Sequence, residues 1–215
     1  MKKAVKLLAL STLVLSFSAN ATNLLNNAGF ETATSGFSLW ATDEIWNGEL
    51  NGSITGATNG VTPASGTGMF EIGDAGGGSA AQMAQWVYGD FTAGTTLTFD
   101  VDLNANNAGA LSYITINSAT TAVFAQAGLL LDGIASTWES LSVSHTLVSD
   151  VTGVYVQVWT PMTSGAGGSN YIDIAGNYIY VDNASLTATG VPAPAALVLF
   201  GLGLAGLGVA RRRRA

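Results

Sequence analysis

The chain has 215 residues, no cysteine and a formal net charge of −7. Its seven Lys and Arg sit only at the ends, whereas all fourteen Asp and Glu lie between Glu31 and Asp182, so the stretch 22–190 carries −14 with His145 as the only histidine. That excludes a phosphate-neutralising nucleic-acid surface and any Lys or Arg clamp for an anionic substrate. Without disulfides, stability must come from a buried core, assisted at most by a metal.

In chain order, residues 1–21 read as a secretory signal peptide. Lys2, Lys3 and Lys6 supply the positive start, Leu7 to Phe17 the apolar stretch, and Ala19-Asn20-Ala21 an A-x-A cleavage site. Residues 22–190 form one domain, and its periodicity is that of strands. Leu97, Phe99, Val101 and Leu103 alternate with polar residues; Leu141, Val143 and His145 do so with serines; Val154, Val156 and Val158 alternate with Tyr155, Gln157 and Trp159. Leu111–Asn117, Val123–Leu131 and Tyr178–Leu186 read as further strands. Turn signals at Asn51-Gly52, Asn59-Gly60, Ala93-Gly94 and Asp132-Gly133 separate them. Three Gly-rich stretches, 51–68, 73–79 and 163–169, read as loops. No helical stripe interrupts the pattern, so the expected class is all-β, an antiparallel β-sandwich.

The last segment, 191–215, has three parts: Val191-Pro192-Ala193-Pro194, an apolar run from Ala195 to Ala210, and Arg211, Arg212, Arg213 and Arg214. Prolines leave an extended, protease-accessible dipeptide. As a helix the apolar run spans roughly 24 Å, a short transmembrane segment against a hydrocarbon core of about 30 Å. The arginines hold the C-terminus in the cytoplasm. With Ala195-Ala196 following, these residues resemble the V-P-x-P-A-A variant of the PEP-CTERM sorting signal of Gram-negative bacteria, with Ala193 where the name-giving glutamate stands. The resemblance implies membrane residence through 195–210, then processing by an exosortase-type enzyme and delivery to the cell surface or extracellular matrix.

A second resemblance covers most of 22–190. Asn23-Leu24-Leu25-Asn26-Asn27-Ala28-Gly29-Phe30-Glu31 looks like the opening strand of galactose-binding-like jelly rolls, the β-sandwich of several carbohydrate-binding module families. Gln82 to Leu97 resembles the family's next strand pair, Thr137-Trp138-Glu139 a later strand start, and Ile179 to Leu186 its closing strand. The resemblance implies a jelly-roll fold. It also implies a structural calcium near the paired chain ends, with Glu31 and Asp182 at contributing positions and Asn183 where a second Asp is common.

For sugar recognition, Tyr155, Gln157 and Trp159 put two aromatics and an amide on one strand face, opposite an all-valine face. Aromatic rings stack on the apolar face of a sugar while amides bond its hydroxyls. Trp40, Trp46 and Trp86 are alternatives, and Trp86 and Trp138 read equally as core residues. An enzyme is hard to assemble here: His145 reads as packed or at a rim, and the acidic pairs Asp100/Asp102 and Asp43/Glu44 carry no surrounding motif. The expected protein is a non-enzymatic surface component of an exopolysaccharide or biofilm, with glycan binding as an open option. Two alternatives stand beside it: a surface glycan-processing enzyme using a carboxylate pair, and a purely structural surface protein.

Overall fold

The computed structural model describes residues 22–32, 47–49, 53–73, 81–118, 122–160 and 176–190. The expectations for 1–21, 191–215, Trp40, Trp46, Asp43, Glu44, 163–169 and 74–79 lie outside the described residues.

The described chain is all-β. Its strands are β1 (Asn47–Glu49), β2 (Ser53–Thr55), β3 (Met69–Gly73), β4 (Ala81–Phe91), β5 (Thr96–Ala105), β6 (Leu111–Ser118), β7 (Val123–Leu130), β8 (Glu139–Thr146), β9 (Val151–Thr160) and β10 (Tyr178–Thr189). They form two five-stranded sheets, ordered β1-β4-β9-β6-β7 and β2-β3-β10-β5-β8, with every pairing antiparallel. Alternation along each strand sends one side-chain set inward. Val154, Val156 and Val158 of β9 are fully buried in the same core as Leu97, Phe99, Val101 and Leu103 of β5. Ile114, Ile116, Phe70, Ile72, Val181 and Leu186 complete the core. At one margin Phe124 of β7 stacks on His145 of β8 at 4.9 Å, which makes the histidine a rim residue bridging the two sheets.

Three expectations need correction. The opening stretch 23–31 is not a strand. It lies beside β10 through isolated bonds, Leu24 N–H to Leu186 O (2.8 Å) and Ala184 N–H to Ala28 O (2.9 Å), and a turn with positive φ at Asn27 and Phe30 breaks its ladder. Phe30 is nevertheless fully buried, so the segment acts as a plug. A buried amide holds it there: Gln85 Oε1 accepts the Asn26 N–H (2.7 Å) and Gln85 Nε2 donates to Asn26 O (2.9 Å). Second, the 51–68 stretch is not wholly loop, since it contains β2 and a bridge between Thr58 and Val61 closed by the Asn59-Gly60 turn, both residues at positive φ. Third, β3 has no counterpart among the expected strands, because Gly-rich flanks mask its short Met69-Phe70-Glu71-Ile72 run.

Candidate functional site

The outer face of the β1-β4-β9-β6-β7 sheet collects most of the described chain's half-exposed aromatics. Register aligns them in rows across the strands. Gln82, Trp159 and Tyr113 form one row; Ala84, Gln157, Thr115 and Gln126 the next; Trp86, Tyr155 and Asn117 the third; Tyr88 and Gly153 the fourth. Tyr113 and Trp159 stack with centroids 4.7 Å apart and planes 21° off parallel. Trp86 lies 4.7 Å from Tyr155 and stacks with Tyr88 at 6.3 Å. The two aromatic groups are thus separated by four residues of β9, about 13 Å at roughly 3.3 Å per residue.

Between them the floor is low and polar. Ala84 contributes only a methyl group, and Thr115 and Asn117 are each 1 % exposed. Gln157 Nε2 donates to Gln82 Oε1, the Thr115 hydroxyl donates to Gln157 Oε1 (3.4 Å), and Asn117 Nδ2 donates to Thr115 Oγ1 (2.6 Å). This network holds the amides in fixed orientations before any ligand arrives. Burial raises the Tyr155 phenol above its usual range, so it stays a neutral donor and acceptor. No residue of β4, β9, β6 or β7 in the first three rows is charged, and the one carboxylate in register with them is Glu49 of the edge strand β1, opposite Gln82. The surface offers ring faces and neutral hydrogen-bonding groups, a combination suited to the apolar faces and hydroxyls of sugars.

Tyr155, Gln157 and Trp159 therefore share this face. Trp86 does not join the core: it lies on the same outer face against Tyr155. Trp138 sits elsewhere, donating from Nε1 to Thr62 O (3.0 Å) beside a small cluster of Val61, Met69 and Tyr180. Tyr113, Tyr88, Gln82, Thr115 and Asn117 escaped the sequence reading. The alternation of Tyr113, Thr115 and Asn117 with Ile114 and Ile116 carries the signal for three of them.

Glu31 and Asp182 also come together, around the loop Ala64 to Gly68. The Glu31 carboxylate accepts Thr67 N–H (3.0 Å), Thr67 Oγ1–H (2.8 Å) and Gly68 N–H (3.4 Å). A Cβ at Gly66, where φ is +58°, would overlap that carboxylate, so the loop can close over Glu31 only with glycine there. Asp182, 0 % exposed, accepts Ser65 N–H (3.0 Å) and Asn183 N–H (2.7 Å). Bonds from Thr67 hold Glu31 below the usual carboxylate range; burial first, and then the nearby Glu31 charge, push Asp182 up. Calcium takes six to eight oxygen ligands. Here the loop turns N–H groups toward the carboxylates, and among the described residues no group of three or more His, Cys, Asp or Glu is placed to hold a metal. Each of the two carboxylates is thus already engaged by backbone N–H donors of its neighbours.

Of the two acidic pairs, Asp43/Glu44 lies outside the described residues. Asp100 and Asp102 lie on the outer face of the other sheet, where Asp102 accepts from Ser140 Oγ and Asn183 Nδ2.

Comparison with known proteins adds three findings. Residues 190–214 match the model of the PEP-CTERM protein-sorting motif. No curated protein matches the chain in sequence. Among solved structures, the sandwich is similar to TmCBM61, determined in complex with beta-1,4-galactotriose, with a TM-score of 0.55 and 13 % identity over 79 % of this chain and 100 % of that one. The CBM22-1 xylan-binding domain of Xyn10C from Paenibacillus barcinonensis gives a TM-score of 0.51 and 10 % identity over 80 % of this chain and 97 % of that one. The Stig cyclase Fisc from Fischerella sp. TAU gives 0.57 and 15 % over 80 % and 100 %. At these identities the likeness is one of fold, and the same sandwich serves binding modules and an enzyme. The chain thus carries, at 190–214, the PEP-CTERM motif of exported proteins that an exosortase processes and sorts to the Gram-negative cell surface, behind a β-sandwich similar in fold to those of carbohydrate-binding modules.

Proposed function

We propose that this protein is a non-catalytic, glycan-binding component of the cell surface or its extracellular polymer, and that it holds polysaccharide on the outer face of the β1-β4-β9-β6-β7 sheet. The carrying observation is the arrangement of Tyr113/Trp159 and Trp86/Tyr155 as two aromatic groups either side of an uncharged amide and hydroxyl row. Tyr155, Gln157 and Trp159 contact the sugar directly, joined by Trp86 and Tyr113. Stretch 22–190 has no Lys or Arg to meet a uronate or sulfate, so the ligand is a polysaccharide without acidic sugars. The short apolar segment and arginines hold the precursor in the inner membrane until an exosortase removes the tail, and a signal peptidase leaves Thr22 as the first residue.

Affinity electrophoresis of the surface-extracted protein through gels containing the producer's polysaccharide tests the binding. Retardation that Trp159→Ala relieves is the expected result; mobility indifferent to polysaccharide overturns the reading. Intact mass of the same sample tests the processing, since a mass retaining Arg211 to Arg214 means the tail is an anchor only.

A further inference from the structure

With the rows of this outer face taken as a glycan groove, a cavity of about 400 Å³ lies beside its fourth row at Gly153, lined also by Asp90, Phe91, Thr92, Ser118, Asp150, Val151 and Thr152. Its position follows from the strand pattern. Gly153 occupies the place on β9 that continues the series Trp159, Gln157, Tyr155, yet it has no side chain. A Cβ there would lie 3.2 Å from Val87 O and 3.4 Å from the Tyr88 ring, so glycine lets Tyr88 settle over this end of the sheet. Tyr88 remains 49 % exposed, a ring face beside the cavity. The register shift between Tyr88 and Phe91 bends β4 and turns Asp90 and Phe91 into the opening. Asp150 is pinned from the other side, with Oδ1 accepting the Ala93 N–H (2.8 Å).

The cavity therefore has what one sugar ring needs: aromatic and aliphatic walls from Phe91 and Val151, hydroxyls from Thr92, Ser118 and Thr152, and a wall at Gly153, which pairs with Tyr88 in the fourth row. It differs from those rows in charge. Two carboxylates line it, and the nearest Lys or Arg in sequence are Lys6 and Arg211, outside stretch 22–190. Both carboxylates are solvent-exposed, so a neutral ring would gain nothing from their charge and an acidic ring would be repelled. A protonated amine would supply the missing cation and make charge-assisted bonds to either carboxylate.

We propose that this cavity is a subsite for a sugar bearing a free amine, so that the groove selects a polysaccharide containing unacetylated hexosamine over its fully acetylated or neutral equivalents. The proposal rests on the groove being a glycan site.

The test compares a glucosamine oligosaccharide with its fully N-acetylated counterpart of equal length, by titration calorimetry on the surface-extracted protein at matched ionic strength. The amine form is expected to bind about tenfold more tightly, the size of one charge-assisted bond. Asp90→Asn/Asp150→Asn keeps the Ala93 bond through an amide oxygen and should bring the two ligands to near-equal affinity. Asp100→Asn/Asp102→Asn removes the same charge from the opposite face and should leave the preference intact. Equal loss in both double variants means bulk attraction to an acidic protein, and overturns the subsite. So does a wild type without preference, or one that binds neutral polysaccharide but neither oligosaccharide; the groove survives those results. Absence of binding to any glycan removes the groove and the subsite together.

Discussion

The two sheets share one core but use the polar side of their strands in different ways. On the β1-β4-β9-β6-β7 sheet, Tyr113, Trp159, Tyr155 and Trp86 remain at the surface as paired rings around a polar row. On the β2-β3-β10-β5-β8 sheet, large outward side chains occur at one end and are covered. Tyr180 is fully buried among Val61 and Met69, and its hydroxyl accepts from Asn59 Nδ2 (2.9 Å) in the loop laid over it. The rest of that face is small and polar, and its hydroxyls pair with one another across strands: Thr96 with Thr146 and Thr98 with Ser144, each at 2.9 Å. One face keeps its rings half-exposed above a polar row, whereas the other uses its large side chains to fasten loops. The difference teaches that an outward aromatic is a binding candidate only where no loop of the chain already covers it.

The largest expected effect tests the exposed face. Tyr155→Ala/Trp159→Ala should weaken polysaccharide affinity about a hundredfold, since truncating central aromatic contacts costs upwards of 2 kcal/mol. Thr98→Val/Ser144→Ala on the other face should leave affinity unchanged. Equal losses from the two pairs, measured by calorimetry, would erase the distinction between the faces.

Tyr180→Phe makes the reverse comparison. It removes the hydroxyl that accepts from Asn59 and bonds Glu71, and should cost about 1–2 kcal/mol in urea unfolding with glycan affinity unaltered. A loss of affinity at constant stability would give the covered face a role in recognition.

Acidification should act through the same covered region. Burial raises the pKa of Glu71 and of Asp182 above their ordinary values. The folded state therefore binds protons more readily than the unfolded chain, and both groups cost stability once ionised. That cost is removed as pH falls through the folded values toward the unfolded ones near 4, so the melting temperature should rise over this window at constant ionic strength. Glu31, lowered by its bonds to Thr67, works in the opposite direction only as pH drops below its unfolded value. Glu71→Gln should flatten the rise; a profile identical to wild type would remove Glu71 from this account.

The smallest expected effect concerns calcium. With backbone N–H groups turned toward Glu31 and Asp182, calcium should raise the melting temperature no more than magnesium at equal ionic strength, both acting by screening a −14 domain. An additional calcium-specific rise that Asp182→Asn abolishes would place a cation on the covered face after all.

Much of this was legible without coordinates, because it depends on local alternation. Val154, Val156 and Val158 against Tyr155, Gln157 and Trp159 state which side of β9 is core, whatever strands lie beside it. The tail likewise announces itself through contiguous residues, Val191 to Arg214, and needs no fold to be recognised. Strand order is a different matter, since it depends on pairing between distant segments. Only the sheet register shows that 81–91 and 111–118 both flank β9, which brings Trp86 to Tyr155 and Tyr113 to Trp159. The same holds for partners of buried polar groups. Gln85 breaks an apolar alternation for no local reason until Asn26 is found against it, and Glu31 and Asp182 read as metal ligands or as solvated strand-end charges, with nothing local to show that the loop from 64 to 68 meets them with N–H groups. Side-chain periodicity sorts inside from outside because it is a property of one strand. The neighbour of each outward group is decided by chain segments far away in sequence, and so only by the tertiary structure.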